Sequence, residues 1–144
     1  MITNKKLALF DNNIYVYHNL GFEPIRELFT KVLVAGCEIG ISSIVAMGLM
    51  WYSEIMTNSL EKAKRQVYID RAHKILPVDL DVAMKAAEIR REWEAGTGKK
   101  IKHGYVLIAA TAIMNDAILG RGTSVPSEKR HYFTYSRLNP SSSK

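Results

Sequence analysis

The sequence predicts an α/β protein with a mainly parallel sheet of four to five strands, flanked by helices. Short apolar runs of strand length, such as residues 6–10 and 38–45, alternate with longer segments whose apolar residues recur at helical spacing. Asp, Asn, Gly and Pro separate these segments at turn positions. Strands that alternate with helices are typical of βαβ units, in which helices cover a parallel sheet.

Start and stop signals place the individual helices and strands. Pro24 is tolerated in a first turn, so a helix is predicted from Glu23. Asp79 or Asp81 can cap the longest helix, and the glycines of residues 96–98 end it. The predicted strands are residues 6–10, 38–45, 74–78 and 117–119. One helix is predicted to begin near residue 14, and the others are predicted at residues 23–34, 46–55, 59–71, 82–93 and 106–115. Residues 99–104 are predicted to form a basic loop.

The length fits one domain, predicted at residues 1–140, with a flexible tail at residues 141–144. The one cysteine, Cys37, excludes an internal disulfide bond. No apolar run reaches the roughly 18 residues that span a bilayer. The N-terminus also lacks a signal-peptide pattern, so the cytoplasm is the predicted compartment.

The formal net charge is +6, and most of it lies toward the C-terminus. Residues 121–144 hold five basic side chains and one acidic side chain, which gives +4 of the +6. A basic surface attracts polyanions such as RNA, although a tail that only improves solubility fits the charge equally well. The candidate RNA-binding residues of the basic loop and tail are Lys99, Lys100, Lys102, Arg121, Lys129 and Arg130.

Asp11 is the first candidate for a functional residue. It directly follows the first predicted strand, and ligands of parallel sheets bind at the carboxyl ends of the strands. Aspartate is also common as a turn residue that closes a strand. Both roles are therefore open for Asp11.

Four segments resemble the PIN-domain family of VapC-type toxin ribonucleases, in the family's order and spacing. They are LALFDNN at residues 7–13, ISSI at residues 41–44, the amphipathic segment 80–90 and VLIAATA at residues 106–112. The last of these is the most specific, and the closing residues 136–140 are also similar. The resemblance covers nearly the whole chain. It implies a PIN-like three-layer fold, Mg²⁺- or Mn²⁺-dependent cleavage of RNA, a VapB-like antitoxin as partner and a homodimer.

The family's acidic site is incomplete in this chain. Asp11 matches the first acid and is the candidate catalytic and metal-binding residue, with Asn13 as support in the same turn. The resemblance expects three further acids, but the residues at those positions have no carboxylate. They are Gly48, Tyr105 and Thr123. Glu128 is a candidate to move toward the site. Hard divalent cations need oxygen ligands. We therefore expect the chain to bind the metal weakly or not at all, and its cleavage of RNA to be impaired.

Two functions from different classes remain open at this point. One is an impaired VapC-like endoribonuclease, and the alternative is a catalytically inactive PIN-fold module that binds RNA or an antitoxin. Trp51 and Tyr52 are candidates for an exposed aromatic interface with a protein partner, although packing in the core is an equal alternative.

Overall fold

A computed structural model describes residues 5–51, 53–121 and 134–136 of the chain. Five strands form one sheet: β1 (Leu7–Phe10), β2 (Glu38–Ser42), β3 (Lys74–Leu76), β4 (Ile118–Arg121) and β5 (Thr134–Ser136). Six helices are α1 (Asn12–Asn19), α2 (Glu23–Val34), α3 (Ser43–Met50), α4 (Ser59–Asp70), α5 (Leu80–Thr97) and α6 (His103–Met114). A short 3₁₀ helix (Ser53–Met56) joins α3 to α4. The predicted domain boundary at residue 140 and the tail beyond it lie outside the described residues.

The strand order across the sheet is β3-β2-β1-β4-β5. The first four strands in this order pair in parallel, and β5 pairs antiparallel with β4. The predicted mainly parallel sheet of four to five strands, flanked by helices, is thereby confirmed. Every residue of β1 is buried, as expected for a central strand covered on both faces.

The main core joins the central strands to α1 and α2. Its largest fully buried side chains include Phe10, Tyr15 and Leu28. A second, smaller core lies between α5 and α6, where Val82 packs with Val106. Among the helices that the structure describes, none is long and apolar enough to cross a membrane.

Several predicted boundaries were wrong by a few residues, and at α3 the reason is a side-chain cap, which periodicity does not reveal. The predicted second strand was too long: Ser42 ends it and starts α3, since its hydroxyl accepts a hydrogen bond from the Ile44 N–H at 3.2 Å. Of the two predicted caps of α5, the structure confirms Asp79, whose carboxylate accepts a hydrogen bond from the Val82 N–H at 2.9 Å. The helix continues to Thr97 and ends at Gly98, whose φ of 71° favours glycine.

The chain reverses direction across the sheet between β1 and β4. The first crossovers lead from β1 outward to β2 and β3, and the last returns past β1 to β4. This arrangement makes the carboxyl edge between β1 and β4 a topological switch point, where ligands of α/β sheets bind. Asp11 lies at this edge, and its N–H donates to the Gly120 carbonyl at 3.1 Å.

Candidate functional site

Asp11 caps α1 at the switch point. Its carboxylate oxygen Oδ1 accepts a hydrogen bond from the Ile14 N–H at 3.3 Å, and the residue is half-buried. The carboxylate therefore has a structural role that requires no ligand, because it satisfies a backbone donor of the first turn. A cap can also serve as a metal ligand through its second oxygen, so the geometry leaves both predicted roles of Asp11 open. Asn13, the predicted supporting residue, is exposed.

Gly48 lies beside the turn that contains Asp11. A Cβ atom added to Gly48 would lie 3.2 Å from Cγ, 3.3 Å from Oδ1 and 3.4 Å from Nδ2 of Asn12, the residue directly after Asp11. The Asn12 amide thus crowds the position of a Cβ atom at residue 48 and would have to shift by a few tenths of an ångström to admit one. The Asn12 amide therefore packs directly against the backbone of Gly48, which has no side chain to keep it away.

Asn12 is a residue of this site that sequence reasoning missed. Its Oδ1 atom is buried and has no hydrogen-bond partner among the described residues. A buried acceptor left unsatisfied costs about 1–3 kcal/mol relative to a paired one. Such an orphaned oxygen beside Asp11 marks a place where the local structure is not optimised for stability alone.

Tyr105 lies in the first turn of α6, and its half-buried ring packs against the main core. The short connection of residues 115–117 leads from α6 directly into β4, so α6 runs opposite to the strand. The first turn of α6 consequently points toward the carboxyl edge. Because α6 contacts α3, Tyr105 and Gly48 belong to neighbouring helices. A packed ring at this position fills space and offers no carboxylate to a metal.

The described residues do not fit a Mg²⁺ or Mn²⁺ site. In those parts of the chain, no three or more His, Cys, Asp or Glu side chains come together as metal ligands. Glu54 is exposed on the 3₁₀ helix, and Asp116 lies before β4, at its amino end, where it pairs with Lys6 at 3.5 Å. Of Asp11, Glu54 and Asp116, only Asp11 lies at the switch point. Thr123 and Glu128, the other predicted positions, lie outside the described ranges.

The basic residues Lys99, Lys100 and Lys102 are exposed and directly precede α6. Their charge adds to the partial positive charge of the α6 N-terminus, which favours an anion near the carboxyl edge. His103 is the first residue of α6 rather than part of the loop, and both of its ring nitrogens lie within 3.1 Å of Arg90 Nη1. The side chains of Arg121, Lys129 and Arg130 lie outside the described part of the molecule.

Apolar side chains are exposed along α3, the 3₁₀ helix and the start of α4. Trp51 is 74% exposed, which excludes the alternative that it packs in the core. This apolar surface consists of Met47, Trp51, Met56 and Leu60. Large methionine and aromatic side chains left in water are typical of surfaces that bind another protein. Tyr52, its predicted neighbour in the interface, is outside the described residues.

Comparison with solved structures identifies the class of this fold. VapBC2 from Rickettsia felis, bound to a promoter DNA fragment, is similar with a TM-score of 0.64 and 22% identity over 78% of this chain and 85% of that chain. DNA-bound VapBC from Salmonella typhimurium gives a TM-score of 0.62 and 24% identity over 83% and 87%. VapBC-1 from nontypeable Haemophilus influenzae gives 0.62 and 16% over 78% and 84%. Neither a protein-family model nor a curated protein sequence matches the chain.

These neighbours are toxin–antitoxin complexes whose VapC component is a PIN domain. The chain therefore has a PIN-like fold, as the resemblance of its four segments predicted. At these identities the similarity establishes the fold and leaves activity, metal and partners to be argued from the residues themselves.

Proposed function

We propose that this chain is a VapC-like PIN-fold protein whose metal-dependent RNA cleavage is impaired and which acts by binding RNA and an antitoxin-type partner. The observation that carries the proposal is the Asn12 amide, which fills the space beside Gly48. Gly48, where the PIN resemblance expects a carboxylate, has no side chain, and the neutral Asn12 amide packs against it. The site thus retains its position at the switch point and lacks the charge that holds a divalent cation.

The impairment follows from the chemistry of the ligands. Mg²⁺ gives up its hydration shell reluctantly and is usually held by several oxygens, including carboxylates and substrate phosphates. Asp11 supplies one carboxylate, and one of its oxygens already accepts a hydrogen bond from the Ile14 N–H. Tyr105 cannot compensate, because a phenol offers no carboxylate oxygen to a hard divalent cation. The described residues alone therefore give no route to metal-dependent hydrolysis.

The proposed RNA site combines the exposed lysines with the N-terminus of α6. Lys99, Lys100 and Lys102 are exposed and directly precede this helix end, where backbone N–H groups also favour phosphate. Arg121, Lys129 and Arg130 are proposed to extend the same basic surface. Binding of this kind is largely independent of sequence and weakens strongly with salt. RNA as ligand fits the predicted cytoplasmic compartment.

The proposed protein partner is an antitoxin of VapB type. Its support is that the solved neighbours are VapBC toxin–antitoxin complexes and that this chain leaves the apolar surface around Trp51 in water. A homodimer that uses the same surface is a second proposal. Size-exclusion chromatography with light scattering separates the two, because a dimer forms without any partner. Trp51→Ser should abolish self-association if Trp51 lies in a dimer interface.

A binding and cleavage assay on one labelled RNA tests the central proposal. We expect fluorescence anisotropy to show binding at about 50 mM salt that is lost by about 200 mM, with no metal-dependent cleavage in parallel samples. Lys99→Ala, Lys100→Ala and Lys102→Ala together should reduce both the affinity and the salt dependence. The matched control changes Lys31, Lys62 and Lys64, three exposed lysines on α2 and α4, to alanine. Absence of binding at low salt contradicts the binding function.

Asp11→Asn separates an impaired nuclease from an inactive binding module. Asparagine can still cap α1, so the change removes a charge while keeping the fold. Residual cleavage that depends on Mn²⁺ and disappears in this variant identifies an impaired enzyme. Cleavage that is absent in both proteins, with binding retained, identifies the binding module. Fast metal-dependent cleavage by the unmodified chain overturns the assignment of Gly48 and Tyr105 as lost ligands.

A further inference from the structure

The His103 ring is an exposed aromatic group that rests on a guanidinium group. His103 begins α6, and the residue is exposed to solvent. Arg90 Nη1 lies 3.1 Å from Nδ1 and 2.9 Å from Nε2 of this ring. An atom in the plane of the ring, at these distances from both nitrogens, would collide with the ring carbons beside them. Nη1 therefore lies over one face of the ring, so the two side chains are stacked.

A second contact holds the guanidinium group of Arg90 in place. Its Nε donates to the Glu94 carboxylate at 2.8 Å, one turn further along α5. The ion pair restricts the long arginine side chain, so less rotational freedom is lost when a further group stacks on the pair. Arg90 covers one face of the His103 ring, and His103 nevertheless remains exposed. The Arg90–His103 pair is thus a supported flat surface that is open to solvent.

The neighbours of His103 along the chain leave room for a ligand and are basic. Gly104 follows the histidine, and a Cβ atom added there would meet nothing within 4 Å. A flat group can therefore approach without a side chain at residue 104 in its way. The three exposed lysines of the basic loop directly precede His103, and no Asp or Glu occurs in residues 95–115. A ligand of this surface is therefore expected to combine a flat group with negative charge.

An unpaired nucleotide has both of these properties. Proteins that bind single strands combine positive side chains, which follow the phosphates, with aromatic rings on which bases stack. Histidine rings and arginine planes both serve as such stacking surfaces. In a duplex the faces of each base are covered by its neighbours in the stack, so only an unpaired base can use the ring face. A phosphate alone would use the lysines and gain nothing from the ring.

We propose that His103, supported by Arg90, is a stacking platform for one unpaired base of a bound RNA strand. The inference rests on the proposed RNA binding and names the residue that makes this binding depend on bases as well as on charge. The lysines of the basic loop bind the phosphates next to that base, and the base stacks on the face of His103 opposite Arg90. Lysines alone attract any polyanion, whereas the ring adds affinity only for a strand whose bases are accessible.

Two strands of equal charge separate stacking from electrostatic attraction. One is a run of uridines with 2-aminopurine at its centre, and the other is an abasic strand with the same number of phosphates. At about 50 mM salt we expect the full chain to bind the first strand about fivefold more tightly, with quenching of the 2-aminopurine fluorescence as the base stacks. Equal affinities without quenching overturn the platform and leave RNA binding intact. Binding of neither strand overturns the proposed function together with the platform.

Variants at the exposed surface assign the effect to His103 and Arg90. His103→Tyr keeps a flat ring and should keep the preference for the base-bearing strand. His103→Lys replaces the ring by a charge, so it should lose the preference and the quenching while still binding the abasic strand. Arg90→Ala removes the support and should weaken the preference, whereas Arg91→Ala, which removes the same charge from an exposed neighbouring position of α5, should not. Full preference in His103→Lys, or equal losses in the two arginine variants, contradicts the platform.

Discussion

The packing of Asn12 against Gly48 predicts an unusual response to a glycine-to-alanine change. Inside a helix this change ordinarily stabilises by up to about 1 kcal/mol. Gly96, inside α5 with nothing within 4 Å of its added Cβ, should show this gain. At Gly48 the new Cβ would lie 3.2 Å from Asn12 Cγ, a contact tighter than nine in ten real ones, so the amide must shift by a few tenths of an ångström. We expect this displacement to cancel about 1 kcal/mol, leaving Gly48→Ala close to neutral.

A double-mutant cycle isolates this coupling. In an Asn12→Ala background the obstructing amide is absent, and Gly48→Ala should then stabilise by up to about 1 kcal/mol, as Gly96→Ala does. Urea denaturation followed by circular dichroism gives the four free energies of unfolding. A coupling energy near zero between residues 12 and 48, with Gly48→Ala stabilising in both backgrounds, would refute the claim that the amide occupies the space of the missing side chain.

Three further changes test how buried side chains near the candidate site and on α1 and α4 contribute to stability. Gly120→Ala would place a Cβ 2.7 Å from the Phe10 ring beside Asp11, so it should lower the free energy of unfolding by about 1–3 kcal/mol in urea denaturation. Arg65 is buried and donates to the Glu61 carboxylate at 2.9 Å and the Leu49 carbonyl at 3.0 Å, so Arg65→Met should cost about 2–3 kcal/mol by thermal unfolding, against almost nothing for the exposed Lys62→Met. Burial and Arg26 lower the pKa of His18, so the unfolded chain binds the extra proton first. Stability should therefore fall as pH drops through about 6.5, and His18→Asn should reduce that dependence.

The sequence predicts the position of the candidate site better than its contents. A short apolar run ending at Asp11, followed by alternating helices and strands, is enough to put this residue at the carboxyl edge of a parallel sheet. The contact between Asn12 and Gly48 could not be predicted, because it joins side chains of different helices and leaves no periodic signal. The same limit applies to the buried aromatic cluster, in which the Tyr15 ring of α1 packs against Phe29 of α2 and Tyr68 of α4. Periodicity reports which face of an element is buried and is silent about which side chains meet there.

The same contact determines how a metal site could be rebuilt. Gly48→Glu and Tyr105→Asp are expected to add two carboxylates on the side of Asp11, but the Asn12 amide crowds the Cβ atom of the first. Adding Asn12→Thr, which replaces the amide by a shorter side chain, relieves this contact. Without metal the clustered carboxylates repel one another, so the triple variant should be less stable than the unmodified chain.

Mn²⁺ should reverse that loss in the triple variant. Binding linkage gives about 2.7 kcal/mol of stabilisation when the free metal is about a hundredfold above its dissociation constant. The variant with Asn12 retained should gain less. The control with Gly48→Gln, Tyr105→Asn and Asn12→Thr keeps the shapes without the charges and should not respond to Mn²⁺. Thermal unfolding with metal and with chelator measures all four proteins. An equal response of the neutral control, or a response of the unmodified chain, would place the metal elsewhere and contradict the assignment of residues 48 and 105 as vacated ligand positions.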